Sequence, residues 1–323
     1  MLSAYFIIAA NAWMQHPVGY RLVGGKAQLV DIWKVLFSGL AVWAFLHVIL
    51  ASILTAAMVT LAVSAWHLRR GSEVELFTSA VKIALVLAVV GALGSMYVGD
   101  ELGRTLVREQ PMKMAAAEAL FNTEQPASFS IIATGAFTHN PQHTNRDLKV
   151  PHLLSLLATR SWSDAVPGVN QLDAQYRQQY GPGEYAPYVA LVYWSFRVMI
   201  YLWGLVFLLA ARGLWLWRRG RILESRRWLK ACVAGSVLPF LMNTGGWVMT
   251  ESGRQPWIVQ GLLKTSQASS PNVSATEVWT TLVGFVSIFT VIGGVALWLF
   301  LREARSVPDE GAGGPGAVAP LAY

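Results

Sequence analysis

The chain has 323 residues, of which 54% are hydrophobic and 13% charged, with 14 Trp and a formal net charge of +7. A soluble globular domain carries about a quarter charged residues, so this composition excludes that class and points to an integral membrane protein. The single cysteine, Cys232, lies in an apolar stretch, so no disulfide forms within the chain.

The chain opens with an apolar segment, residues 1–12, too short to cross a bilayer. It has no basic residue ahead of its apolar core, so it reads as the last part of a helix rather than as a signal peptide. Five longer apolar stretches follow, at 35–66, 77–98, 188–211, 229–249 and 278–301. Each approaches or exceeds the about 20 residues that a spanning helix needs. The runs are continuous, not alternating, which excludes a β-barrel. The predicted fold is therefore an all-α polytopic transmembrane bundle, with five full spans and a partial first helix. Its predicted organisation is the partial helix 1–12, an outer loop with two spans at 13–98, an outer loop at 99–187, three spans at 188–301 and a disordered tail at 302–323.

Basic residues orient the spans. Arg69 and Arg70, the run from Arg212 to Lys230, and Arg302 with Arg305 flank three helix ends, which the positive-inside rule places in the cytoplasm together with the carboxyl terminus. Trp215, Trp217 and Trp228 interleave the basic run, as a membrane interface selects, so no nucleic-acid partner is expected. The loop from about 100 to 187 then lies outside, and it has no apolar core of its own that the sequence reveals. Within it, Gln110 to Leu120 forms a short helical run in which Lys113 and Glu118 are five apart, a poor ion-pair spacing that lets both face a cavity. His139 and His143 are separated by Pro141, which breaks the helix that would bring them together.

Candidate functional residues lie inside the spans. His47 lies about twelve residues from the outer end of its stretch and Met199 about eleven from the outer end of another, a depth of roughly 18 Å at 1.5 Å per residue. A His and a Met at one level on two helices suit the axial positions of a haem iron. Packing and interhelical hydrogen bonding are the simpler roles for each. Arg197, the charge in the middle of its span, suits a haem propionate. In the fourth span Trp247, Glu251 and Arg254 share one helical face, an aromatic plane, an oxygen ligand and a guanidinium suited to an anionic macrocycle holding a metal. An interfacial Trp beside a solvated ion pair is the alternative.

Together these segments carry a family pattern: Asn11-Ala12-Trp13-Met14-Gln15-His16-Pro17-Val18-Gly19, the helix around His47, Gly99-Asp100-Glu101, Lys113 to Glu118, Phe196-Arg197-Val198-Met199, and Gly246-Trp247 through Glu251 to Gly253-Arg254-Gln255-Pro256-Trp257. In them the chain resembles subunit I of the cytochrome bd ubiquinol oxidases, in a short-loop, cyanide-insensitive-like branch. The resemblance implies a respiratory terminal oxidase of the bacterial cytoplasmic membrane that oxidises quinol at the outer face and reduces dioxygen to water, in complex with subunit II. It implies His47 and Met199 as axial ligands of a low-spin haem b, with Arg197 near its propionates. Glu251 would ligate a high-spin haem b, with Trp247 against that macrocycle and Arg254 in support. Lys113 and Glu118 would bind quinol. The family also has further amino-terminal helices that carry the haem d ligand, which is absent from this sequence, so the opening segment is expected to be truncated. Two other readings stand beside this one: a non-catalytic haem- and quinol-binding subunit, and a haemless transporter-like bundle in which His47, Arg197 and Glu251 line a solute path.

Overall fold

A computed structural model describes residues 2–134 and 146–306. The His139 and His143 pair and the tail from 307 to 323 lie outside the described residues. The chain opens with α1 (Leu2–Gln15), a hairpin of β1 (Tyr20–Val23) and β2 (Lys26–Leu29), and a short α2 (Ile32–Leu36). The first long pair follows, α3 (Gly39–Arg70) and α4 (Val74–Glu109). Gly71, at φ 73, ends α3 and turns the chain back in the left-handed conformation that glycine adopts without a Cβ clash.

Both helices run beyond the apolar stretches that announced them. The expected boundary at Gly99-Asp100-Glu101 lies inside α4, because Arg104 pairs with Asp100 and Glu101 along the helix and Arg160 adds a second cation. Charges at these spacings stabilise a helix rather than end it. The loop that follows is folded, not coreless: α5 (Pro111–Ala117), a hairpin of β3 (Phe129–Thr134) and β4 (Arg146–Val150), α6 (Leu153–Thr159) and α7 (Val169–Tyr180). Met114, Leu120, Ala127, Leu154, Ala158 and Val166 form its own small core. None of these apolar residues forms a long run, so the sequence pattern conceals them.

Three further spans complete the bundle: α8 (Val189–Arg218), the broken helix α9 (Arg226–Gly235) and α10 (Leu238–Ser252), and, after the β5 (Trp257–Val259) and β6 (Leu263–Lys264) hairpin, α11 (Ala275–Glu303). The break between α9 and α10 follows from Pro239, which lacks an N–H and whose ring meets the carbonyl four residues back, that of Gly235. The basic half of the bundle buries Leu54, Met58, Leu61, Val81, Leu85, Val206 and Leu229. A second core at the loop end joins Ala12, Leu40, Met112, Val192, Tyr193, Met249 and Trp257. By contrast, none of the residues of α11 is buried. Its end is held by His67, whose Nε2 lies 3.1 Å from the Ala304 carbonyl oxygen.

The α3 and α4 helices approach closely at Gly91, where an added Cβ would stand 3.0 Å from the backbone N of Leu54 and 3.1 Å from its Cα. Small residues at such crossings let helix backbones meet. Gly91→Leu is therefore expected to force the pair apart at a cost of ~1–3 kcal/mol, typical of overpacking. Gly204→Ala, where nothing lies within 4 Å, serves as the control. Thermal unfolding in detergent reads the difference, and equal midpoints for Gly91→Leu and the parent protein would contradict the close crossing.

Candidate functional site

The loop end of the bundle holds two polar networks, one buried throughout and one buried at Lys113 but open at Glu251, and α5 separates them. Five residues at about 100° each set Lys113 and Glu118 roughly 140° apart around this short helix, so the two side chains leave in different directions. Both are buried, so neither belongs to a solvated helix face.

Lys113 points toward α1 and α10. Its ammonium donates to Gln15 Oε1. Gln15 Nε2 donates to Asn11 Oδ1 at 2.6 Å, and Asn11 Nδ2 donates to Glu251 Oε1 at 2.9 Å. The other oxygen, Glu251 Oε2, accepts from Arg254 Nη2 at 2.5 Å. Gly253 makes room for the lysine stem, since a Cβ there would lie 2.6 Å from Lys113 Cγ. Gln110, just ahead of α5, donates to the Gln15 backbone carbonyl and so fixes the end of α1. Trp247, on the same helix as Glu251, is 48% exposed and faces away from the core. Arg254 follows the end of α10 and still reaches Glu251, three residues back.

Glu118 points the other way, to α8. Its Oε2 accepts from Arg197 Nη2 at 2.6 Å, and the side chains are 1% and 0% exposed. Arg197 Nη2 also donates to the Ser130 carbonyl at 2.5 Å. The guanidinium lies over the rings of Tyr193, Phe129 and Phe196, at 4.5, 4.7 and 5.2 Å from their centroids. The Tyr193 hydroxyl accepts from the Ala133 N–H at 2.7 Å and lies 3.0 Å from Ser130 Oγ, so strand β3 is sewn to α8 beside the ion pair. Arg197 thus has a protein partner that the sequence reading did not give it. Its Nε and Nη1, with Glu118 Oε1, are buried without a hydrogen-bond partner.

His47 and Met199 are not placed against each other. His47, on α3, lies against α4 where Gly99 leaves space, an added Cβ there standing 3.4 Å from Nδ1. Met199, on α8, lies against α10, where a Cβ on Gly246 would stand 3.2 Å from Sδ. From the observed helix starts they are eight and ten residues in, about 12 and 15 Å at the usual rise. Both therefore lie closer to their helix starts than the apolar boundaries indicated. The His47 Nδ1 atom is buried without a hydrogen-bond partner. A buried imidazole, a thioether and a buried guanidinium are donor types that would suit a haem iron and its propionates.

Burial sets the electrostatics of α5. It lowers the Lys113 ammonium to about 7, helped by Arg254 and opposed by Glu251. Burial likewise raises the Glu118 carboxyl to about 7, against the pull of Arg197. Sequence reasoning missed Asn11, Gln15, Gln110, Ser130 and Tyr193. Asn11 and Gln15 sit four apart at the end of an apolar helix, a spacing that could have marked them as a shared polar face.

A family model described as cytochrome bd terminal oxidase subunit I matches residues 1–308. The chain is 37% identical over 307 residues to cytochrome bd ubiquinol oxidase subunit 1 of Bacillus subtilis (strain 168), covering 94% of this chain and 65% of that protein. It is 28% identical to cytochrome bd-II ubiquinol oxidase subunit 1 of Escherichia coli (strain K12), over 95% of this chain and 71% of the relative. The solved structure of bd oxidase from Geobacillus thermodenitrificans superimposes with a TM-score of 0.80 at 28% identity, covering 93% of this chain and 66% of that one. The chain thus spans just under two thirds of the Bacillus subtilis relative and of the Geobacillus chain.

The shifted groups give the fold a distinctive pH response. Glu118 binds a proton in the folded state between its ordinary 4.5 and about 7, where the unfolded chain has lost it, so stability falls as pH rises through that window. Lys113 is the mirror case: between about 7 and its ordinary 10.5 only the unfolded chain holds the proton, so stability rises with pH. The thermal midpoint is expected to pass through a minimum near neutrality. Glu118→Gln should flatten the acid limb and Lys113→Met the alkaline one. Limbs of unchanged slope in both variants would show that other groups govern the response.

Proposed function

The chain belongs to the cytochrome bd terminal oxidase subunit I family, and on that premise we propose that it is the haem-bearing, quinol-oxidising subunit of a respiratory terminal oxidase. The observation that carries this reading is the pair of polar networks at the loop end of an otherwise apolar bundle, with buried Lys113 on one and buried Glu118 on the other. A purely structural loop has little use for two ionisable groups poised near neutrality. In this reading His47 and Met199 hold a low-spin haem b, and the unpaired Arg197 nitrogens receive its propionates. Glu251 ligates a high-spin haem b, Trp247 lies against that macrocycle and Arg254 keeps the carboxylate oriented. Haem d completes the cofactor set, and no residue of this chain is assigned to it. When bound, these groups supply electron transfer and dioxygen chemistry.

The chain's own residues handle the quinol. Glu118 Oε1 has no protein partner and a proton affinity near neutrality, so it is suited to take a proton from a quinol hydroxyl. Lys113 donates to a quinol oxygen from the other side of α5 and is held by Gln15 until it does. The loop faces the outside of the bacterial cytoplasmic membrane, the basic helix ends and the carboxyl terminus lie inside, and subunit II is the partner. Quinol oxidation releases protons and dioxygen reduction consumes them, so this sidedness builds a gradient.

Met199→Leu is expected to abolish the low-spin haem b band of the reduced spectrum while the protein still inserts. An unchanged band would remove Met199 from the ligand set, and a wild-type protein with no haem bands at all would favour the haemless bundle. Sidedness has a separate check. Protease added to sealed right-side-out vesicles should cut the loop between 100 and 187 and stop quinol oxidation, whereas cleavage confined to inverted vesicles would reverse the assigned orientation.

A further inference from the structure

The polar chain from Lys113 to Glu251 runs in one direction. Each link donates toward the carboxylate: Lys113 to Gln15, Gln15 to Asn11, Asn11 to Glu251. An amide turned end for end exchanges donor and acceptor at both of its links. A flipped Asn11 would set its oxygen against the Glu251 carboxylate and its NH2 against the NH2 of Gln15. A flipped Gln15 would set donor against donor at Lys113. The cation at one end and the anion at the other therefore admit one self-consistent orientation of both amides.

The local backbone holds these amides in place. Asn11 and Gln15 are four apart on α1 and share one face. Gln15 is buried, and the end of α1 is pinned from two sides, by Gln110 on the Gln15 carbonyl and by the Gln260 N–H on the Met14 carbonyl at 2.9 Å. Lys113 also feels the charges of Arg254 and Glu251, the two residues at the far end.

We propose that Asn11 and Gln15 are positioning residues that form a single polarised amide relay, through which the hydrogen-bonding state of Lys113 in the loop sets the orientation and charge stabilisation of Glu251 in the bundle. The inference rests on the functional reading above for the roles of its two ends, but the relay itself is a property of this chain. When Lys113 turns to a quinol oxygen, Gln15 loses its donor, Asn11 is less strongly polarised, and the hydrogen bond on Glu251 Oε1 weakens. Arg254 then carries the carboxylate alone. Chains of hydrogen bonds polarise one another in this way where they are shielded from water, as Lys113 and Gln15 are.

The test is a double-mutant cycle between residues that do not touch, made in the full chain within its membrane assembly. Lys113→Met and Asn11→Leu are measured singly and together by thermal unfolding. Uncoupled sites give additive effects, whereas a relay through their shared partner Gln15 makes the double variant lose clearly less than the sum of the two. Gln15→Met, which removes the middle link, should abolish that non-additivity. In the haem-loaded protein, Gln15→Met should also move the high-spin haem band and its reductive midpoint in the same direction as Asn11→Leu, although it lacks contact with Glu251. Gln15→Glu, which still accepts from Lys113 but cannot donate to Asn11, should show the same haem shift. Additive unfolding, or a Gln15→Met protein with an altered KM and an unaltered high-spin band, overturns the relay. Non-additive unfolding in a protein without haem would leave the relay standing and remove the oxidase reading.

Discussion

A single guanidinium in an apolar helix constrains the whole loop end of this protein. Arg197 is fully buried, and an unpaired cation there would cost several kcal/mol in desolvation. It is tolerated because the chain brings Glu118, the Ser130 carbonyl and three aromatic faces to it from segments far away in sequence. Those partners can meet the guanidinium only if α5 and β3 are both seated on α8. The need to neutralise one charge therefore orders the loop, and with it the position of Lys113. Hydrophobic contact alone would hold the loop with less precision, since apolar surfaces slide and a 2.6 Å charged hydrogen bond does not.

The short helix α5 converts this anchoring into a division of labour. With Glu118 fixed on α8, the helical pitch leaves Lys113 no direction except toward α1 and α10, where Gln15 and the space over Gly253 receive it. A helix of seven residues would not be stable alone, and here its ends are secured by opposite charges in opposite networks.

Features carried by local pattern were legible in the sequence. Continuous apolar runs gave the five spans, and the three-residue spacing of Glu251 and Arg254 gave their ion pair. Features that depend on distant partners were not. Arg197 and Glu118 are separated by 79 residues, and nothing near either names the other. The core of the loop is built from single apolar residues on separate short elements, such as Leu120, Leu154 and Val166, so no periodicity betrays it. Asp100, Glu101 and Arg104 looked like the end of a membrane segment because charge usually marks one, yet their mutual pairing let the helix continue. Family likeness supplied roles for the residues, while the geometry supplied Asn11, Gln15 and the true partner of Arg197.

That continuation of α4 has a mechanical meaning. Its 36 residues form one rod about 54 Å long at ~1.5 Å per residue, and α5 begins two residues after it ends. The rod's far end is packed, not free: Thr105 and Glu109 lie against Gly39 of α3, and Asp100 pairs with Arg160 just after α6. The same helix gives Val81, Leu85 and Ala88 to one core and Leu106 to the other, so the two cores are threaded on a single rigid element and neither can slide along it without the other.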